Sequence, residues 1–300
     1  SVTLLSCSVN SKLEKNFVKD QQDRNDFRGM VVYDLTREKE LLNFNGNKYF
    51  IPASTVKLFT FFTAYSILPD SVCSLEYLQR GDSLLIRGTA DPSVLISEED
   101  PVLEFLKARD ENIFLVDRAI EDSKYGPGWS WDDYQSSYMP ERSLLPLYGN
   151  LVTMSFNDSL EISPGFFREA LIVPGQDTNT SGHSNSYRDL NLNRFYAGNL
   201  KKGDQQSIPF ITSNQLAADL LGNTIGEKVT LVPDEFEANF SKLVTQPYDS
   251  LYTRMLIESD NFIAEQLMLQ VGWQVKNEYR VKAAVDYALD SIFQNISQRP

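Results

Sequence analysis

The rhythm of apolar and polar positions changes three times along the chain. Short apolar runs at 29–36 and 40–50 read as two consecutive antiparallel strands, with Asn45-Gly46 as a tight-turn signal near the end of the second. From Val56 to Leu68 apolar side chains surround nearly the whole of a helical stretch, which predicts a helix buried on most sides. Between about 70 and 245 the pattern breaks up. Apolar runs at 83–87, 113–116, 151–156, 161–163 and 228–232 alternate with polar loops and read as strands, and 213–221 reads as a short helix capped by Ser213 or Asn214. Helical spacing returns after Gln246. A helix over 251–258 is capped by Asp249 or Ser250, a second covers 262–271, and a third covers 279–293.

This order predicts an α+β fold in which the sheet at 29–50 packs on a helix starting near residue 54. The late helices return to the same domain. The predicted division is 1–69 with 246–300 as one discontinuous domain, and 70–245 as a mainly β insertion.

Composition narrows the function. The chain has 300 residues, 42% of them hydrophobic, enough for about two globular domains. A net charge of −13 leaves no basic patch to neutralise phosphates, so nucleic acid is not an expected partner. No run of 18 apolar residues is present to span a membrane. With two cysteines, Cys7 and Cys73, and one histidine, structural zinc is excluded by ligand count, and no cofactor is expected. Two cysteines alone give no support to a Cys7–Cys73 disulfide. Leu4-Leu5-Ser6-Cys7 resembles the cleavage site of a bacterial lipoprotein, which makes Cys7 a candidate lipid anchor.

Two stretches carry candidate chemistry. Ser54-Thr55-Val56-Lys57 opens the apolar helix and sets a hydroxyl and an amine just under one turn apart. A serine needs a base to become a nucleophile at neutral pH, and a lysine whose pKa is lowered by burial can be that base. The helix N-terminus favours an oxyanion nearby. A Ser-x-x-Lys alone is weak evidence, since roughly one arises by chance in a chain of this length. The second stretch, Ser259-Asp260-Asn261, lies between two predicted helices. Its three residues are also turn and cap formers. His183 stands in a polar loop and is a poor candidate for a Ser-His-Asp triad.

Together with their flanks, these stretches resemble the low-molecular-mass class C penicillin-binding proteins, serine D-alanyl-D-alanine carboxypeptidases and endopeptidases of the bacterial cell wall. The resemblance is carried by Pro52-Ala53-Ser54-Thr55-Val56-Lys57-Leu58 and by Leu85-Ile86-Arg87-Gly88-Thr89-Ala90-Asp91-Pro92. Gly128-Trp129-Ser130-Trp131-Asp132-Asp133, with Tyr138 and Ser143-Leu144, adds to it, as does the run around Ser259-Asp260-Asn261. It implies a penicillin-binding-protein/β-lactamase-like catalytic domain (antiparallel sheet with helices), here transpeptidase-like, discontinuous and incomplete. Ser54 would be the nucleophile, Lys57 the base, Ser259 a proton relay and Asn261 an orienting amide. Asp133, ahead of Asp132, would contact the free amine of a stem peptide.

The expected partners are peptidoglycan peptides and β-lactams, and the expected location is the bacterial periplasm or cell envelope. The 205 residues between Ser54 and Ser259 exceed the class A β-lactamase spacing. The family's third motif, Lys-Thr-Gly, does not occur in the 300 residues, so the C-terminal part of the catalytic domain is expected to be missing. That leaves a non-catalytic module as one alternative and a β-lactamase-like hydrolase as another.

Overall fold

The structure is a computed structural model and describes residues 12, 15–20, 26–97, 99–173 and 185–294. Cys7 and His183 lie outside the described residues. The chain divides into two compact units, Ser1–Ala53 and Ser54–Pro300.

In the first unit, β1 (Met30–Asp34) and β2 (Lys39–Phe44) pair antiparallel, with Met30 opposite Phe44 and Asp34 opposite Lys39. The second strand stops short of the expected 40–50. Asn45 adopts φ +54°, and Gly46 N donates to Asn43 Oδ1 at 2.9 Å, which turns the chain out of the ladder.

The second unit opens with a 3₁₀ turn, Ser54–Val56, that runs into α1 (Lys57–Ile67). Then follow β3 (Ser71–Arg80), β4 (Ser83–Gly88), α2 (Pro101–Lys107), β5 (Asn112–Asp117), β6 (Leu151–Phe156) and β7 (Leu160–Ser163). The two-residue strands β8 (Leu171–Ile172), β9 (Tyr187–Arg188) and β10 (Phe195–Tyr196) precede β11 (Asp204–Pro209), α3 (Asn214–Ile225), β12 (Val229–Pro233) and β13 (Ser241–Pro247). The helices α4 (Tyr248–Ile257), α5 (Asn261–Lys276) and α6 (Val281–Tyr287) close the unit.

A five-stranded mixed sheet has the order β12-β5-β4-β3-β13, parallel over β12-β5-β4 and antiparallel over β4-β3-β13. A three-stranded antiparallel sheet has the order β11-β6-β7. One core joins these sheets to α2 and α3 through residues such as Leu75, Ile86, Leu106, Val152 and Leu221. A second core, around Ala64, Val72, Met255, Leu267 and Ala284, joins α1 to α4, α5 and α6. The turn after β4 links the two regions. Ala90 takes φ +63°, its N–H reaches Leu144 O at 2.7 Å, and its carbonyl accepts from Gln266 Nε2 at 3.2 Å. Asp91 is buried beneath it, accepting from Ser74 Oγ at 2.5 Å, Ser93 N at 2.9 Å and Ser93 Oγ at 2.7 Å, and burial pushes its carboxyl pKa up.

The structure corrects the expectation that α1 is buried on most sides. Leu58 is 58% and Phe59 49% exposed, whereas Lys57, Thr63 and Ala64 are buried. A helix packed along one side buries only one stripe, and here positions 57 and 64, two turns apart, lie on it.

Candidate active site

The local sequence sets Ser54 and Lys57 at the two ends of one tight turn. A 3₁₀ turn brings side chains three residues apart into an eclipsed stack, and Ser54 and Lys57 are that far apart across the turn. Ser54 stays exposed, while Lys57 falls on the buried stripe that faces α5 and is only 6% exposed.

On the other side, α4 ends at Ile257, Glu258 caps it, and Ser259 adopts φ +56°. That left-handed conformation is the one that usually recruits glycine at a helix C-terminus. Asp260 then caps α5, its Oδ1 accepting from Ile263 N at 3.0 Å. Its Oδ2 pairs with Arg254 Nη2 at 3.1 Å, so its carboxylate is tied to the scaffold. Between these constraints, Ser259 and Asn261 point at one atom, Lys57 Nζ. The amine donates to Asn261 Oδ1 in a short hydrogen bond and to Ser259 Oγ at 3.5 Å. Groups more than 200 residues apart thus share one ammonium.

Burial lowers the Lys57 pKa, and the negative charges of Asp260 and then Glu265 oppose that shift. A fraction of the amine is therefore neutral closer to physiological pH than for a solvated lysine. Its two hydrogen bonds go to Asn261 and Ser259, and Ser54 stands three residues back, at the start of the turn that leads into α1.

Asp133 ends a 3₁₀ turn, Trp131–Asp133, outside this cluster. Tyr138 Oη donates to Asp133 Oδ2 in a short bond, and this carboxylate is the leading reason that the tyrosine pKa is raised. Trp129 stands edge-on to Tyr138, with ring centroids 6.1 Å apart. Asp132 is exposed and accepts from Ser130 Oγ at 2.5 Å.

Sequence reading overlooked the supports of α5. Arg142 is buried and donates to Glu265 Oε2 from Nε at 2.9 Å and from Nη2 at 2.5 Å. Gln266 accepts from Ser143 N at 3.2 Å and donates to Ser143 O at 2.8 Å. The signal was polar residues on the inner face of a helix next to Asn261, which the apolar periodicity of 262–271 hides. No group of metal-ligating side chains converges among the described residues, and no helix there is long and apolar enough to cross a membrane.

The model of the D-Ala-D-Ala carboxypeptidase 3 (S13) family matches residues 9–168. Among solved structures, the chain is similar to penicillin binding protein 4 (dacB) from Haemophilus influenzae. The TM-score is 0.66 at 18% identity, over 90% of this chain and 68% of that one. A second structure of that protein, complexed with a novel beta-lactam, is similar with a TM-score of 0.61 at 18% identity, over 90% of this chain and 66% of that one. The chain thus spans about two thirds of the length of these proteins. No curated protein matches it.

Proposed function

The chain belongs to the D-Ala-D-Ala carboxypeptidase 3 (S13) family, as a low-molecular-mass class C penicillin-binding protein, and on that premise we propose that it is an acylating serine peptidase of peptidoglycan stem peptides that also captures β-lactams. In this reading Ser54 Oγ attacks the carbonyl carbon of a D-Ala-D-Ala peptide or a lactam, and its proton passes to neutral Lys57 Nζ. Asn261 holds the amine in place. Ser259 hands the proton on to the leaving nitrogen, whose bond to the carbonyl breaks, and water then attacks the acyl-enzyme to restore Ser54. Asp133 takes the distal amine of the stem peptide. Residues 1–69 and 246–300 form the discontinuous catalytic domain and 70–245 the insertion, and the protein works in the periplasm or cell envelope.

The observation that carries this reading is the shared contact of Lys57 Nζ with Ser259 and Asn261. A buried amine with a lowered pKa, three residues along the chain from an exposed serine, supports a lysine as the base that proton abstraction needs. The test is covalent labelling of the chain with a fluorescent penicillin. Labelling that disappears in Ser54→Ala supports the reading. A second reading is a non-catalytic module on the same scaffold. Intact binding of stem peptide with no labelling at any pH would establish that one instead.

A further inference from the structure

The loop at 142–143 and the start of α5 are built as one piece. Arg142 has a side chain only 2% exposed, and it reaches Glu265 through Nε and Nη2, Asp122 Oδ2 at 3.4 Å and Ser123 O at 3.2 Å. Room for the pair is reserved by Gly126. A β-carbon there would lie 2.9 Å from Glu265 Oε1 and 3.3 Å from Arg142 Nη2. The next residues on each side, Ser143 and Gln266, exchange two further hydrogen bonds. Glu265 sits one helical turn beyond Asn261, on the helix that presents Asn261 to Lys57.

We propose that Arg142 and Glu265 are positioning residues for the Lys57 site: the buried pair locks the first turns of α5, the helix that presents Asn261 to Lys57, and keeps the carboxylate there balanced. This proposal rests on Lys57 being the base. Two carboxylates act on Lys57, and each has an arginine partner among the described residues. Asp260, before α5, is paired with Arg254 of α4, which also meets Glu258 at 3.3 Å. Glu265 lies on α5 and is paired with Arg142. Of the two carboxylates that hold the Lys57 pKa up against burial, Asp260 and Glu265, each is thus offset by an arginine.

The sign of the coupling follows. Removing Arg142 alone leaves Glu265 uncompensated and makes the Lys57 cation more stable. Removing the Glu265 charge makes the cation less stable. The two substitutions therefore act in opposite directions, whereas simple loosening of the fold moves both the same way.

The experiment titrates Lys57 in the full chain by NMR of isotope-labelled lysine, with the signal assigned by its loss in Lys57→Met. Arg142→Gln is expected to move the midpoint to higher pH by roughly half a unit. Glu265→Gln is expected to move it lower, and the double variant to stay on the Glu265→Gln side of wild type. Equal midpoints in all four proteins, or shifts of one sign in both single variants, overturn the proposal. If Arg142→Gln does not fold, Glu265→Gln decides alone, and an unchanged or raised midpoint overturns it. Penicillin labelling is measured in parallel, and undiminished labelling of Lys57→Met would remove Lys57 as base while leaving the midpoints to judge the coupling.

Discussion

The most constrained side chain at the proposed site is the lysine, and its charge state should dictate when the serine reacts. Burial lowers the Lys57 pKa, so acylation is expected to rise with pH and level off at an apparent pKa below the ordinary lysine value of about 10.4. The check is the second-order rate of penicillin labelling across that range, and a rate that is flat or falls with pH contradicts it. The stability effect has the same origin. The unfolded chain binds more protons than the native one between the native and unfolded pKa values, so the cost of burying the cation is complete below the native value. It is relieved as pH rises toward the unfolded value. Ser259 separates backbone from chemistry. At φ +56° glycine is at ease and alanine is not, so Ser259→Gly should keep the melting temperature at or above wild type while lowering the labelling rate about 10²-fold or more. If labelling survives in that variant, the proton relay through Ser259 is wrong. These residues were legible in the sequence because their types and spacing are chemically rare together. The left-handed backbone of Ser259 was not, since nothing in Ser-Asp-Asn reveals which of the three takes it.

At the scale of elements, legibility followed burial pattern. Strands β4, β5, β6 and β12 announce themselves as apolar runs because they lie inside sheets or against α3. Strand β3 was missed although it lies inside the five-stranded sheet, and the edge strands β11 and β13 were missed too. These last two are sheet edges with polar sequences ending in proline, Asp204–Pro209 and Ser241–Pro247, and an edge has no need of an apolar alternation. The start of α3 read well, with Ser213 closing its cap at an Oγ to Leu216 N distance of 3.0 Å, whereas α2, capped by Asp100, was not read as a helix. The start of α4 was misplaced by a few residues because Pro247, with no side-chain cap, precedes it. Close contacts between elements were not visible at all. A β-carbon on Gly88 at the end of β4 would come within 2.3 Å of Leu144 O, and backbone on both sides leaves nothing flexible to move. Gly88→Ala should therefore cost at least about 2 kcal/mol in urea unfolding. It should also lower labelling, because the same loop at 142–144 braces α5. A variant as stable as wild type would show that this loop can shift freely.

For the second unit as a whole, the chain's order in sequence hides its order in space. Residues 57 and 261 meet only because β3, β4 and their turn lead the chain away and α4 brings it back, and apolar periodicity carries no record of that return. The aromatic-acidic segment at 128–138 sits within this excursion, and its proposed role depends on that topology. Tyr138 anchors Asp133 through a hydrogen bond, and Trp129 backs the tyrosine, so the carboxylate is fixed without a cationic partner among the described residues. A substrate amine would supply the missing cation. Asp133→Ala should then lower kcat/KM about tenfold for stem peptides that carry the distal amine, and leave peptides without it near the wild-type value, the size expected of one partly solvated charge pair. Tyr138→Phe, which keeps the carboxylate but frees it, should give a smaller loss of the same selectivity. Penicillin, which lacks the distal amine, provides the internal control, since its labelling of Ser54 should be unchanged in both variants. Equal losses on the two kinds of peptide would instead make the Asp133–Tyr138 pair a packing element, and the recognition of the amine would have to be sought on another part of the chain.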